Sequence, residues 1–529
     1  MCWPAASKAD GGRQVPSLLM TGSLRPSSNR SLKCLPFGAQ IADFRSVARK
    51  IAAAFPLYRR MPPLPVLLIM VPSRNVMRLK GTQMKTILAN SSALLLALQV
   101  SASPALADTV KLDALIEQKY SELERVYRDI HSNPELGFHE TRTAKLLATE
   151  LHKLGFEVTA GLGVESALVG VFRNGDGPTI MLRTELDALP MEEKTGLDYA
   201  SRVQVPATQW PGNTDAAKVF VAHSCGHDIH MASWLGAAQL LVDMKDHWRG
   251  TLLLVGEPAE EIGGGATAML KAGLFEKFPK PDFGFAVHVN GEPAGKITVK
   301  DGAFSGNSDT FDLTFKGRGA HGSAPHLSID PIVLGARFVT DIQAVVSREK
   351  DPREPGVITI GSFQAGTAGN IIPDQAKLKL TMRSTTPETR KLLLEAMHRV
   401  AGTTAQSAKA PEPELLRIGG GAVAGTNSSQ LIGDIKPALD RSFADIVYVP
   451  AAVQPTLGVE TYPEFIEAGV PSIFYWIGGS SPEQIEEALH ENRPVASNHS
   501  PFFAPAPETS IKTGAKILAI SVLQKAAVD

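Results

Sequence analysis

The chain has 529 residues, of which 43% are hydrophobic and 20% charged, with 53 Lys and Arg against 54 Asp and Glu. This composition is typical of a globular protein of two or three domains and excludes a disordered, collagenous or disulfide-stapled chain. Residues 1–107 carry a formal charge of +12 (14 basic minus 2 acidic residues), so the remainder of a chain with net charge −1 carries −13. An acidic body disfavours nucleic-acid binding, because phosphate contacts need a basic surface.

Residues 84–107 have the pattern of an export signal. A basic start at Lys85 precedes an apolar run from Ile87 to Leu98, and Ala105-Leu106-Ala107 provides a site for cleavage after Ala107. The run is too short to cross a bilayer permanently, although without cleavage it would serve as an anchor. We therefore expect an exported protein, periplasmic or secreted, with no membrane attachment after cleavage.

The residues before Met84 are rich in Pro, Arg and Ser. Since a signal peptide stands at the N-terminus, we expect translation to begin at Met84 or Met77; the alternative is a disordered or organelle-targeting extension over residues 1–83. N-terminal sequencing tests this, because a mature chain that begins at Asp108 supports export. Such a chain would keep Cys225 as its only thiol, which excludes an intrachain disulfide.

The apolar pattern after residue 108 predicts an α/β domain. Leu112–Leu154 has helical spacing interrupted at Asn133-Pro134, and Met231–Met244 is a further helical pattern. The predicted strands are Ala167–Phe172, Thr179–Leu182, Thr251–Val255 and Phe283–Val289. Short apolar runs separated by helices predict a buried, mainly parallel sheet, whose binding site lies at the carboxyl ends of the strands.

A smaller α+β domain is predicted as an insertion over residues 306–414. Its predicted elements have the order strand, helix, strand, strand, helix: Asp309–Lys316, Pro331–Arg348, Val357–Phe363, Ala376–Arg383 and Pro387–Ala408. Pro471–Ile477 is again a buried-strand pattern, which returns the chain to the first domain. The catalytic domain is therefore predicted over residues 108–305 and 415–529.

Polar clusters follow the predicted strands, and another lies near the C-terminus. They are Arg183–Asp187, His223–Asp228, Glu257–Glu261, His288 and Asn498–Pro501. Cys, His and Glu side chains together form the ligand set of a borderline-soft divalent ion such as Zn²⁺, Mn²⁺, Co²⁺ or Ni²⁺. Their convergence on the carboxyl edge of one sheet predicts a metal site there.

Glu260-Glu261 allows a division of roles at that site. Adjacent residues that leave a strand point in different directions, so one carboxylate can hold a metal while the other moves protons as general base and then general acid. The alternative is an exposed charge pair, which the preceding apolar strand and the following Gly263–Gly265 disfavour. Those glycines lack the Lys-Ser/Thr of a phosphate loop, so we assign them to backbone room beside the metal.

Less specific interpretations remain for several single residues. Cys225 by itself would more often be a small buried core residue, and His288 at a strand end would more often be structural. We expect structural roles for His223 and His230. Asn370 stands before Ile-Ile-Pro and so fits either a turn or a binding site.

Six motifs closely resemble the M20 metallopeptidase/amidohydrolase family, in the branch that contains hippurate hydrolase, N-acyl-amino-acid amidohydrolases and the plant auxin-conjugate hydrolases. In chain order they are Arg183–Pro190, His223–His230, Pro258–Gly265, Gly319–His326, Asn370–Asp374 and His499–Phe502. The resemblance extends from about Leu112 to the C-terminus. It implies a zinc-peptidase-like α/β catalytic domain with an inserted lid that is also a dimerisation domain, and hydrolysis of small N-acyl amino acids.

The resemblance also implies the role of each matching residue. It implies one or two divalent ions per subunit, Mn²⁺ or Zn²⁺, with Co²⁺ or Ni²⁺ as alternatives. The implied ligands are Cys225, which would bridge the ions, His227, Glu261, His288 and His499. Glu260 matches the general acid/base, and Asp187 matches an aspartate that orients a group of the metal site. In the lid, His321 would stabilise the oxyanion, and Asn370 and Arg383 would bind the substrate carboxylate. The lid further implies a homodimer.

Two positions depart from the pattern of the branch. Glu185 replaces the first Asp of Arg-Ala-Asp-Met-Asp, which leaves the occupancy of the second metal open. Glu460-Thr461-Tyr462 stands where Glu-Asp-Phe is common, which leaves the preferred acyl group open.

Three hypotheses follow. The first is a metal-dependent amidohydrolase that releases a carboxylic acid and a free amino acid from N-acyl or N-aroyl amino acids. The second is a dipeptidase or carboxypeptidase of the same fold, which would require a free α-amino group. The third is a catalytically silent metal- or ligand-binding protein, which the intact Glu260-Glu261 pair argues against.

Overall fold

A computed structural model of the protein describes residues 104–211, 217–455 and 457–528. Residues 1–103 lie outside this range, and with them most of the predicted export signal. The α-helices of the described residues are α1 (Pro104–Ser132), α2 (Thr141–Lys153), α3 (His227–Asp243), α4 (Gly265–Lys271), α5 (Leu274–Lys277), α6 (Pro331–Ala344), α7 (Pro387–Ser407), α8 (Ser429–Ser442), α9 (Pro463–Glu467), α10 (Pro482–His490) and α11 (Pro507–Ala526).

The strands fall into a large sheet, a smaller sheet and short paired segments. They are β1 (Glu157–Ala160), β2 (Leu168–Asn174), β3 (Thr179–Glu185), β4 (Gln204–Pro206), β5 (Lys218–Phe220), β6 (Gly250–Glu257), β7 (Phe283–Pro293), β8 (Ile297–Lys300), β9 (Gly302–Ala303), β10 (Asn307–Lys316), β11 (Ala320–His321), β12 (Gly356–Ala365), β13 (Ile371–Ile372), β14 (Gln375–Ser384), β15 (Glu414–Ala422), β16 (Thr426–Asn427), β17 (Ile446–Val449) and β18 (Ser472–Ser480).

The large sheet has eight strands in the order β1-β2-β6-β3-β7-β18-β8-β17. Its four central strands, β6, β3, β7 and β18, run parallel to one another. β1, β2 and β8 add antiparallel pairs at either side. The predicted α/β class with a mainly parallel sheet is confirmed.

Both faces of this sheet are buried, as the continuous apolar strand sequences predict. On β6, Leu252 and Leu254 belong to a core formed with α1, α3 and α11, whereas Leu253 and Val255 belong to a second core that includes side chains of α4 and α9. Successive side chains of a strand point to opposite faces, so one apolar run fills both cores. Because apolar side chains fill both faces, polar functional side chains are expected towards the ends of the strands.

Helix α3 carries a predicted ligand loop into this core. Its residues from His227 to Leu241 are all buried. The preceding residue, Gly226, has φ of 86°, in the left-handed region, and a Cβ atom there would lie 2.3 Å from Cγ1 of Val289. The turn between Cys225 and His227 therefore requires glycine.

The inserted domain has a four-stranded antiparallel sheet in the order β12-β14-β10-β15. Residues alternate along β10, so Phe311, Leu313 and Phe315 face a core covered by α6 and α7. β15 pairs with β10, so the sheet continues to Ala422, past the domain boundary predicted at residue 414. The predicted helix over Pro331–Arg348 is α-helical only to Ala344 and continues as a wider π turn.

Within the described residues, the structure contains no helix with both the length and the apolar character needed to cross a membrane.

Candidate metal centre

The predicted ligand segments meet at one end of the large sheet. β3, β6 and β7 are parallel neighbours, so their carboxyl ends present Asp187, the Glu260-Glu261 pair and His288 to the same space. The loop before α3 adds Cys225, and α3 adds His227 at its first turn. These side chains form sets of three in which the ligand atoms, from carboxylate, imidazole or thiol groups, all lie within 4.8 Å of one another.

One group of candidate ligands consists of Cys225, His227 and His288, all buried. The Nδ1–H of His288 donates to the carbonyl of Val289 (2.8 Å), which leaves Nε2 3.5 Å from the Sγ atom of Cys225. The Nδ1–H of His227 likewise donates to the carbonyl of Asp187 (2.8 Å). Its Nε2 is buried and has no hydrogen-bond partner among the described residues. Backbone bonds at Nδ1 fix the tautomer in which Nε2 is free to bind a metal.

A second group consists of Cys225, Glu261 and His499. The Nε2 atom of His499 lies 3.3 Å from Oε1 of Glu261. His499 reaches this position because its backbone N–H donates to the carbonyl of Ser224 (2.8 Å). The Nδ2 of Asn498 donates to the carbonyl of Cys225 (2.8 Å) and fixes the same segment. The two groups share Cys225.

These donor sets fit divalent ions. Thiolate, imidazole and carboxylate are the ligands of Zn²⁺ and similar metals, and the buried Nε2 of His227 lacks a hydrogen-bond partner in the described part of the chain. Buried polar atoms of native proteins are almost always paired, so unpaired ones point to a ligand. The site therefore offers two donor groups for divalent ions, and Cys225 belongs to both.

Asp187 contacts both groups without being a member of either. Its Oδ2 accepts the backbone N–H of Glu261 (2.9 Å), and its Oδ1 lies 3.4 Å from Nδ1 of His227. Because it contacts the non-coordinating nitrogen of His227, Asp187 orients that imidazole.

Glu260 lies beside the candidate ligands and is 9% exposed. Its Oε1 accepts the backbone N–H of Thr461 (3.3 Å). Burial, together with the carboxylates of Glu460 and Glu261, raises the pKa of Glu260 well above its ordinary value. A carboxyl group with a raised pKa takes up a proton more readily than an ordinary glutamate and can return it, as general acid/base catalysis requires.

The turn that carries the Glu260-Glu261 pair is held by Glu140, a residue that no sequence pattern predicted. Ala259 has φ of 54°, in the left-handed region, and its backbone N–H donates to Oε1 of the buried Glu140 (2.6 Å). The other oxygen of Glu140 accepts the hydroxyl of Ser166 (2.7 Å). Burial and the carboxylate of Asp187 raise the pKa of Glu140 to about 7. No sequence motif marks Glu140, because its principal partner is a backbone amide 119 residues away.

A buried salt-bridge network around His131 was also missed. Burial by itself lowers the pKa of His131, but hydrogen bonds to Asp228 (2.6 Å) and Glu193 (3.1 Å) raise that pKa to about 9. His131 is therefore an imidazolium between two carboxylates at neutral pH. Asp228 directly follows His227, so the network fixes the start of α3 to α1 and to the loop of Glu193.

Residues 181–524 match the profile of peptidase family M20/M25/M40. The chain belongs to this family. The predicted resemblance is thus confirmed, and the M20 fold agrees with the mainly parallel sheet described above.

Three similar proteins illustrate the range of the M20 family. A hippurate hydrolase of Campylobacter jejuni is 41% identical over 290 residues, which cover 54% of this chain and 70% of the relative. The thermostable carboxypeptidase 2 of Saccharolobus solfataricus is 33% identical over 365 residues, covering 67% and 85%. The crystal structure of a dinuclear metal-binding M20 peptidase from Bacillus subtilis has a TM-score of 0.62 and 26% identity, and the match covers 78% of this chain and 100% of that one.

Glu185 and Thr461, which belong to the two segments that depart from the M20 pattern, both contact the buried side chain of Arg183. Its guanidinium binds Glu257 (2.6 and 2.7 Å), contacts Glu185 and donates to the hydroxyl of Thr461 (3.0 Å). The second oxygen of Glu185 accepts Nδ1–H of His230 (2.9 Å), whose Nε2 accepts the backbone N–H of Val289 (2.8 Å). Glu185 and His230 are thus occupied by protein contacts, although both lie within 4.8 Å of His227.

The lid residues are placed in two different ways. Arg383 lines a cavity of about 950 Å³ together with Cys225, Glu260 and His499, and its Nη1 donates to the carbonyl of Leu457 (2.8 Å). His321 lies on β11 and Asn370 directly precedes the paired strand β13; both are exposed, and neither is among the described residues that line this cavity. The structure thus brings only one of the three predicted lid residues to the metal centre of the same chain.

Proposed function

We propose that the chain is a metal-dependent amidohydrolase that converts N-acyl or N-aroyl amino acids to a carboxylic acid and a free amino acid. The observation that carries this proposal is the position of Glu260, a buried carboxyl with a raised pKa beside two ligand groups that share Cys225. The similarity to a hippurate hydrolase supports an N-acyl amino acid as the substrate.

In the proposed reaction, Glu260, Asp187 and Arg383 have different roles. A divalent ion would polarise the substrate carbonyl and acidify water at the site. Glu260 takes a proton from the attacking water and returns it to the amide nitrogen as the C–N bond breaks. Asp187 keeps His227 in its coordinating orientation, and Arg383 pairs with the substrate carboxylate from the lid side of the cavity.

We further propose Mn²⁺ or Zn²⁺ as the ion, with Co²⁺ or Ni²⁺ as alternatives, at one or two per subunit. The shared thiolate and the imidazoles favour these borderline-soft ions over Mg²⁺ or Ca²⁺. Elemental analysis of the purified protein identifies the metal and its stoichiometry.

The activity is tested on protein that has been chelated and then reloaded with Mn²⁺ or Zn²⁺. We expect metal-dependent release of amino acid from N-benzoyl and N-acetyl amino acids, and no release from dipeptides with a free α-amino group. Each dipeptide and its N-acetylated form make a matched pair of substrates. Activity on the free dipeptides only would instead establish a dipeptidase or carboxypeptidase, the second candidate that the similarity to a carboxypeptidase supports.

We propose that the protein is a homodimer that associates through the inserted domain. β15 is an edge strand of the small sheet, and its Leu416 and Ile418 are 59% and 53% exposed. An exposed apolar edge strand is a surface that readily pairs with another chain. We expect light scattering to give twice the monomer mass, and a variant with Lys at both positions to be monomeric; a monomeric wild-type protein would contradict the proposal.

The pattern over residues 84–107 supports export to the periplasm or to the medium, which we propose as the location. In that case the enzyme acts on amino-acid conjugates outside the cytoplasm.

A further inference from the structure

Two buried carboxylates bind the backbone on either side of Glu260. Oε1 of Glu140 accepts the N–H of Ala259 (2.6 Å), and Oδ2 of Asp187 accepts the N–H of Glu261 (2.9 Å). Both of these acidic side chains are fully buried. The residue between the two amides is Glu260, the proposed general acid/base. Its place in the site is therefore fixed by side chains from two other parts of the chain.

Ala259 depends on such a contact because its backbone is strained. Its φ of 54° lies in the left-handed region, which glycine adopts freely and alanine does not. Strained residues of this kind persist only where surrounding contacts enforce them, and they are concentrated at functional sites. Without the bond to Glu140, the turn would be free to relax to an ordinary conformation, and Glu260 would move with it.

The segment before α2 makes further contacts with the same turn. A Cβ atom at Gly137 would lie 3.1 Å from the Cα atom of Ala259 and 3.1 Å from Cδ1 of Ile262, so this backbone packs directly on the turn. Phe138 has a left-handed φ of 66°, and its Cζ atom lies 3.3 Å from where a Cβ atom of Gly264 would be. Each of the two segments in contact thus contains a strained residue.

The side chain of Glu140 serves this turn and not its own helix. Glu140 directly precedes α2, at the N-cap position, but its side chain accepts no capping hydrogen bond. Its second oxygen accepts the hydroxyl of Ser166 (2.7 Å). The segment of Glu140 is joined to that of Asp187, because the N–H of Ala188 donates to the carbonyl of Glu135 (2.8 Å). The two carboxylates therefore bind the turn from one connected region of backbone.

We propose that Glu140 is a positioning residue of the reaction, which holds Ala259 in the left-handed conformation that places the Glu260 carboxyl beside the ligand groups. This inference rests on the proposed amidohydrolase function. Its main effect is on Glu260 and not on metal binding, because the ligand Glu261 has its own bond to Asp187. A displacement of about 1 Å can lower a catalytic rate about 100-fold.

The first test is the kinetics of Glu140→Ala in the full chain. We expect kcat for N-benzoyl amino acids to fall about 10–100-fold, with KM within about threefold of the wild type and an unchanged metal content. Glu140→Gln keeps an oxygen that accepts the N–H of Ala259, so its kcat should be close to that of the wild type. The matched control is Glu150→Ala, the same change at a buried glutamate of α2 that pairs with Arg125 and Lys153. Wild-type kcat is expected there.

A second substitution separates positioning of the strained turn from a general structural role. Glycine adopts the left-handed conformation without strain, so Ala259→Gly makes the turn less dependent on Glu140. In the Ala259→Gly background, we expect the loss of kcat caused by Glu140→Ala to be at least about fivefold smaller than in the wild-type background. Equal losses in the two backgrounds would overturn the proposal. A kcat of Glu140→Ala within about threefold of the wild type would overturn it as well.

Hydrogen exchange provides a readout that does not depend on activity. We expect mass spectrometry to show faster exchange of the backbone amides of residues 257–265 in Glu140→Ala than in the wild type or in Glu150→Ala. Unchanged exchange would overturn the contact on which the proposal stands. Should alanine impair folding, Glu140→Asp keeps the charge but shortens the reach, and the same changes in kcat and exchange are expected. A wild type that hydrolyses no N-acyl amino acid would overturn the proposed function itself, a result distinct from those on Glu140.

Discussion

Glu260→Gln should lower kcat for hydrolysis of N-acyl amino acids by about 10²–10⁴-fold, while the metal content remains that of the wild type. The glutamine amide has nearly the shape of the carboxyl group but cannot carry the proton from water to the leaving nitrogen. Glu260 lies within 4.8 Å of His227 and Glu261, but it belongs neither to the Cys225–His227–His288 group nor to the Cys225–Glu261–His499 group. Its replacement therefore leaves those two donor sets complete. Steady-state kinetics and elemental analysis of the same preparation check both statements.

The control is Glu486→Gln, the same chemical change at an exposed position of α10, for which we expect wild-type kcat. Turnover within tenfold of the wild type in Glu260→Gln would remove Glu260 from the acid/base role. Loss of metal together with turnover would show instead that Glu260 holds an ion.

Cys225→Ser should weaken the binding of both ions, each by more than about 100-fold, and abolish activity at stoichiometric metal. Cys225 is the one residue common to both ligand groups, and a serine hydroxyl does not ionise as a thiol does next to a divalent cation. Metal stoichiometry after dialysis, followed by calorimetric titration, measures the effect.

Ser224→Ala is the matched control for this substitution. It also removes one side-chain heteroatom from the ligand loop but keeps the backbone carbonyl that accepts the N–H of His499. Wild-type metal stoichiometry is expected in this variant. If Cys225→Ser loses one ion and binds the other with unchanged affinity, the thiolate does not bridge two ions.

The limits of prediction are clearest for the supporting residues. Glu140 and His131 stand in a helical region without a motif, and their partners are 119 and 97 residues away. A buried acid that accepts a backbone N–H has no sequence signature, since every residue except proline offers the same donor. Such residues become visible only when the chain is folded.

The inserted domain shows a second limit. Its strands β10, β12 and β14 and its two helices follow from local apolar periodicity, as predicted. β15 contains Gly419-Gly420-Gly421, a local sequence that is typical of a loop. It forms a strand because β10 supplies its hydrogen-bond partners. The positions of His321 and Asn370 likewise depend on how the lid is placed over the catalytic domain.

The sequence by itself determined the α/β class, the mainly parallel sheet, the M20 family and the kinds of ligand, because periodicity and motif composition are local properties of the chain. Only the tertiary structure decided which imidazole nitrogens are free, that Glu140 holds the turn of the glutamate pair, and that Asn498 contacts Cys225. These features are distances between segments far apart in the chain; Asn498 and Cys225, for example, are 273 residues apart and in direct contact. Such distances are set by the packing of α3, β7 and the C-terminal loop against one another, which no single segment encodes.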